Sequence, residues 1–198
     1  MSDKIVPKKL PLIYWPDKRL NRKCTDVTAF DEDLHQLIAD MFATMKYHIG
    51  VGLAAPQVGV FKNLFVLWID REAPLVFINP TISFPPNNPM FEFEEGCLSV
   101  PGIFEMRERP QTILVHYQTP DGEEKSAMLT DLTAFAFQHE YDHLQGETFV
   151  DGLSTFKKLF TKKKVAKNIK RQQYDTSALN NIKLDGTADT TSDDSTSI

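Results

Sequence analysis

No stretch of this chain approaches the roughly 18 consecutive apolar residues that a helical membrane span needs. The opening residues, "MSDKIVPKKLPLIYWPDK", lack the apolar core and small-residue cleavage site of a secretory leader, so the expected location is the cytoplasm. An excess of positive charge is also missing. The 22 Lys and Arg against 27 Asp and Glu leave a net charge of −5, which argues against DNA as a partner. Cysteine is scarce. Only Cys24 and Cys97 are present, and a reducing compartment argues against pairing them. What remains is the balance of a globular chain able to bury a core: 41% hydrophobic and 25% charged over 198 residues.

Periodicity then orders the chain. "FDEDLHQLIADMFATM" (30–45) carries Leu34, Leu37, Ile38, Met41, Phe42 and Met45 at helical spacing, with acids leading where the helix dipole favours them. "GVGLAAPQVG" (50–59) is too glycine-punctuated for a helix. "NLFVLWI" (63–69) and "LVFINP" (75–80) are rich in β-branched and aromatic residues and predict strands. "ILVHYQT" (113–119) and "EKSAMLT" (124–130) predict a hairpin across Pro120 to Glu123. A helix follows, capped by Thr130 or Asp131 and stopped by Gly146, and another is expected over about 155–172. Helices and antiparallel strands are segregated, which predicts an α+β fold. No internal repeat is visible. The domain expectation is a folded body over 1–173 and a disordered Ser/Thr/Asp-rich tail over 174–198, too poor in apolar residues to offset its ordering entropy.

The chemistry concentrates in "AFAFQHEYDHLQG" (134–146). Leu132, Phe135, Ala136, His139 and His143 share one helical stripe, so the two histidines are expected to continue the core-facing side. Buried imidazoles one turn apart need partners, and a divalent ion satisfies both, because i,i+4 spacing brings two rings to one ion. Glu140 lies about 100° around the helix and can reach the ion's open side without ligating it. The blander alternative is a helix that happens to carry His and Glu. A third ligand is available in "EFEEGCLSVPG" (92–102), where Cys97 is either an inert buried thiol or a thiolate ligand. Cys24, in the polar "RKCTD", has no such company.

Three stretches together resemble the peptide deformylase family: "GVGLAAPQ" (50–57), "EGCLS" (95–99) and "QHEYDH" (138–143), in order and with similar spacing. The similarity runs over roughly residues 8 to 150. The resemblance implies antiparallel sheets packed around a central metal-binding helix. It implies hydrolysis of the N-formyl group from the N-terminal formylmethionine of nascent proteins. It implies one divalent ion held by Cys97, His139 and His143: Fe2+ in the cell, with Zn2+, Ni2+ or Co2+ able to occupy the site. By the same resemblance Glu140 handles the proton, while the Gln57 side-chain amide and the Leu98 backbone N–H face the formyl oxygen. Gly50, Val51, Gly52, Glu95, Gly96, Phe135 and Ala136 are implied around the substrate. Phe135 and Ala136 could equally be plain core, and Gly50 and Gly52 plain turn residues. Phe104 stands where the family often has an arginine, with Arg107 and Arg109 close by, and Glu95 is a possible partner for Arg109. The lysine-rich 156–173 segment is either a solvated helix face or a ribosome contact. The rival readings are a peptidase using H-E-x-x-H and a non-enzymatic module stabilised by metal. Cys97 lying upstream of the helix and only three evident ligands weigh against them in turn.

Overall fold

Helix α1 (Glu32–Tyr47) begins where the sequence predicts, with the Asp31 carboxylate accepting from the Leu34 N–H at 3.0 Å. In this computed structural model, which describes residues 5–69 and 73–184, seven strands follow before the second helix. They are β1 (Gly52–Ala54), β2 (Leu64–Leu67), β3 (Leu75–Ser83), β4 (Met90–Gly96), β5 (Phe104–Pro110), β6 (Thr112–Gln118) and β7 (Glu124–Thr130). Helix α2 spans Asp131–Gln145 and helix α3 Thr155–Leu184. Five strands form one antiparallel sheet in the order β1-β2-β3-β6-β7, and β4 and β5 form a separate hairpin. This is the α+β architecture expected, with α2 packed against β1, β2, β5, β6 and β7.

Strand β2 shows why the layers hold together. All four of its residues are buried, because alternate side chains serve different neighbours. Leu64 and Val66 join Leu34, Ile38, Met41 and Met45 of α1. Phe65 and Leu67 join Phe77, Ala134, Phe137 and Leu144 on the α2 side. Phe137 meets Phe65 and Phe77 edge-on, at centroid distances of 5.0 and 4.9 Å. Each such side chain contributes about 1.5–3 kcal/mol on burial. Helix α2 is thereby pinned on one side, and its opposite face is left to look elsewhere.

Three elements depart from expectation. Strand β3 runs through Pro80 to Ser83 instead of stopping at the proline. The register with β6 shifts between Ile78 and Thr81, so Pro80 sits in a bulge where no ladder hydrogen bond is required of it. The β4–β5 hairpin was not anticipated. Its strands pair Glu94 with Met106 and Glu92 with Glu108, and it carries acids that strand propensity disfavours. Helix α3 continues past 173, where the sequence places the start of a polar tail; of that expected tail, 185–198 lie outside the described residues. Its inner side is anchored by Val165, buried with Val100, Ile103, Phe149 and Val150. Among the described residues, no helix is long and apolar enough to cross a membrane.

Candidate metal centre

Helix α2 ends at Gly146, which adopts φ 79° and would clash with the Asn21 backbone at 2.8 Å if it bore a Cβ. That stop holds the last turn of α2, and with it His143, against the body of the protein. Thr130 occupies the N-cap position without a side-chain capping bond. The expected stripe of α2 holds in part. Ala134, Phe137 and Leu144 pack into the core from the neighbouring stripe. Leu132, 40% exposed, lines a cavity together with Phe135, Ala136, His139 and Glu140. The stripe that carries the histidines is divided: Phe135 and His143 are buried as expected, while Leu132, Ala136 and His139 line an opening beside the aromatic cluster. The cavity holds about 440 Å³, within the usual range of a small-ligand site.

Cys97 follows β4 and lines the same cavity. One ligand atom each from Cys97, His139 and His143 lie within 4.8 Å of one another. Cys97 Sγ is 3.2 Å from His143 Nε2. The two imidazoles meet edge to face at 5.1 Å between centroids. Donors sharing one tetrahedral ion sit about 3.6 Å apart, so a thiolate and two imidazoles in this arrangement fit a single divalent ion. Among the described residues, no fourth protein ligand joins them. The site is thus open on one side, as a catalytic ion requires and a structural one does not.

The ring of His139 is held from behind. Its Nδ1 lies 3.1 Å from Glu95 Oε2, which leaves Nε2 free for an ion. Glu95 is gripped by Arg109 through Nε and, at 3.1 Å, through Nη2. The same Nη2 donates to Asp142 Oδ2 at 2.8 Å. The pairing of Glu95 with Arg109 was foreseen; Asp142, on the same helix as the histidines, was not. Burial pulls the Glu95 carboxyl up, but the hydrogen bonds from His139 and Arg109 outweigh it and hold the group at about 2. Glu95 is therefore held as an anion that orients one ligand, and it also lines the cavity.

Gln57 sits in a short 3-10 turn (Ala55–Val58) after β1 and is 1% exposed. Its Oε1 accepts from the Ala54 N–H at 2.7 Å. Only an oxygen can accept there, so the amide nitrogen must face the other way. Nε2 lies 3.4 Å from Cys97 Sγ and 3.2 Å from Ser99 Oγ. Ser99 is a partner that sequence reasoning missed, although it stands inside the quoted "EGCLS". Glu140 is 5% exposed, and its Oε2 has no partner among the described residues. Burial pushes its carboxyl up to about 7, against the pull of His139. Gly52 makes room for it: a Cβ there would collide with Glu140 Oε1 and meet Leu67 Cδ2 at 2.9 Å. Gly50, Val51, Gly96 and Leu98 line the cavity as well. Cys24 is buried apart from all of this, and burial raises its thiol to about 11.

The family model described as polypeptide deformylase matches residues 9–159. A peptide deformylase 1 from Pseudomonas syringae is 43% identical over 163 residues, covering 81% of this chain and 96% of the relative. The crystal structure of a peptide deformylase from Legionella pneumophila is 40% identical, covers 84% of this chain and 98% of its own, and superposes with a TM-score of 0.77. A peptide deformylase from Ehrlichia chaffeensis in complex with actinonin is 38% identical and has the same TM-score of 0.77, covering 81% of this chain and 98% of its own.

Proposed function

The chain belongs to the peptide deformylase family, and on that premise we propose how its own residues divide the work of removing a formyl group. The protein is a metal-dependent amidohydrolase, and Cys97, His139 and His143 are its metal-binding group. Its substrates are formylated nascent peptides. The observation that supports the finer reading is the placement of Gln57 Nε2 and the Glu140 carboxylate around that group, neither being part of it.

When bound, the ion supplies a water of lowered pKa and draws charge from the formyl oxygen. Glu140 takes the proton of the attacking water and gives it to the departing amine as the C–N bond breaks, so that formate and a free N-terminal methionine leave. Burial raises its carboxyl, which suits a group that must hold a proton between taking it up and returning it. Gln57 Nε2 and the Leu98 N–H donate to the formyl oxygen as its charge grows. Glu95, held by Arg109, keeps the His139 ring in the orientation and tautomer that present Nε2. The methionine side chain enters between Val51, Phe135 and Ala136, with Phe93 stacked on Phe135 at 5.4 Å as the outer wall. Ferrous iron is the ion we assign in the cell, because a thiolate beside two imidazoles is a donor set that accepts it.

Anaerobically purified protein should contain close to one divalent ion per chain and release formate from formyl-methionyl peptides while leaving internal peptide bonds uncut. Metal analysis and a formate assay on the same sample check this. Zinc or nickel instead of iron would correct the ion alone, whereas cleavage of internal bonds would overturn the reaction.

A ribosome contact through α3 belongs to the same proposal. It is supported by the exposed Lys162, Lys163 and Lys164 on a helix whose other side is anchored in the body. Replacing those three lysines by Gln should weaken co-sedimentation with ribosomes in a salt-dependent way and spare short-peptide turnover. Unchanged co-sedimentation would leave the lysines as a solvated face.

A further inference from the structure

Helix α3 is fixed in rotation. Thr161 and Val165, one turn apart, are buried, and Asn168 Nδ2 donates to the Pro101 carbonyl at 2.9 Å. The residues on the opposite side of the helix therefore face solvent. In its first two turns they are Phe156, Leu159 and Phe160, which are 79%, 60% and 66% exposed. At i, i+3 and i+4 these side chains are neighbours and form one apolar patch. An exposed apolar cluster on a helix that is already anchored marks a surface that something else covers. Among the described residues, none of α3 lines the cavity that holds the metal group, so the patch is separate from that site.

The same outer side becomes cationic as the helix proceeds. Lys163 and Lys167 follow Phe160 at helical spacing, with Lys164 beside them, and all three are exposed. Among the described residues, no carboxylate pairs with any of them. Lys157, by contrast, is paired with Glu105 at 2.8 Å, and Lys158 donates to the Asp151 carbonyl. From Gly152 to Tyr174 the chain carries no acid, although its net charge is −5. A covering partner must therefore offer apolar groups directly beside negative charge. The ribosome contact proposed above engages the lysines and leaves the apolar patch without a partner. A bilayer holding anionic lipids offers both at once, because acyl chains lie just below a layer of phosphates, and it receives a convex helix without a preformed groove. Such a contact needs no membrane-crossing helix, and none is present among the described residues.

We propose that the outer side of α3 docks on an anionic membrane surface, with Phe156, Leu159 and Phe160 inserted among the lipid headgroups and Lys163, Lys164 and Lys167 paired with lipid phosphates. The contact takes no residue from the cavity and is independent of the deformylase reading.

The test is flotation of metal-replete full-length protein with two kinds of vesicle, over a range of salt. One is phosphatidylcholine alone; the other is phosphatidylcholine and phosphatidylglycerol in equal parts. The protein should float with the anionic vesicles, be released as salt rises, and stay behind with the neutral ones. Phe156→Ser with Phe160→Ser should weaken binding by about tenfold or more. Lys163→Gln with Lys167→Gln should weaken it and flatten its salt dependence. Both pairs should keep the melting temperature of the parent, since the side chains are exposed. Phe156→Trp should retain the affinity, and its added emission should move to the blue when anionic vesicles are supplied. No flotation with anionic vesicles overturns the proposal. Flotation that survives loss of both phenyl rings, or an unshifted emission from Phe156→Trp, reduces the contact to adsorption of lysines and overturns it as well. Absent flotation, together with lost ribosome co-sedimentation in the Phe156→Ser, Phe160→Ser pair, would assign the patch to the ribosome instead.

Discussion

Glu140→Ala should lose deformylation by on the order of 10³–10⁴ in kcat/KM while binding its metal as before. The reasoning starts from position. Glu140 borders two ligands on one helix yet is not one of the group whose donor atoms converge within 4.8 Å. Its carboxylate is buried, with Oε2 unpartnered among the described residues, and burial pushes it up to about 7. A buried carboxylate without a full set of partners is a cost to the fold. It is retained where its proton affinity is useful. The variant should therefore melt at the same temperature as the parent or above it. Glu140→Gln, which keeps the size and loses the proton-accepting oxygen, should be nearly as inactive. Metal analysis, thermal melting and steady-state kinetics on one preparation distinguish the outcomes. A variant that loses its ion would make Glu140 a ligand or a support for one. Near-normal turnover would remove it from the proton path.

The sequence carried the metal group more clearly than it carried the surface around it. His139 and His143 at i,i+4, with Cys97 upstream, are local patterns, and the structure brings their donor atoms together. Which way the helix turned was harder to read. Both the stripe through Phe135 and His139 and the stripe through Ala134 and Phe137 are apolar enough for a core. The aromatic contacts of Phe137 with Phe65 and Phe77, made across the sheet, put the second stripe in the core, while Phe135 and His143 of the first are buried beside the cavity. Hairpin β4–β5 escaped notice for a related reason. "FEFEE" and "FEMRE" do alternate with period two, but the hairpin stands apart from the main sheet, and much of its apolar face borders the cavity. Phe91, Phe93, Phe104 and Met106 are all exposed, so a search for core residues finds nothing to bury there. The network from Asp142 through Arg109 and Glu95 to His139 joins three separate segments. Its first link was invisible because Asp142 is also a plausible solvent-facing residue of an amphipathic helix.

Gln57→Ala should lower kcat by roughly 10²–10³, about 3–4 kcal/mol, with a much smaller change in KM. We propose two jobs for this side chain, and the substitution removes both. Oε1 accepts the Ala54 N–H and ties the turn after β1 to the strand; Nε2 points at Cys97 Sγ and Ser99 Oγ, on the side where the formyl oxygen would develop charge. Loss of the first leaves a buried N–H without its partner, at about 1–3 kcal/mol of stability. Loss of the second removes a donor whose bond strengthens as the oxygen becomes anionic. Gln57→Glu separates the two jobs. It keeps an oxygen for Ala54 but places a carboxylate where the donor was, facing a thiolate. Its melting temperature should lie closer to the parent than that of Gln57→Ala, whereas its kcat should fall at least as far. Metal content should be unchanged in Gln57→Ala, since the amide is not a ligand. Raised KM with normal kcat would make Gln57 a residue that merely binds substrate. Lowered stability with both constants unaltered would confine it to holding the turn.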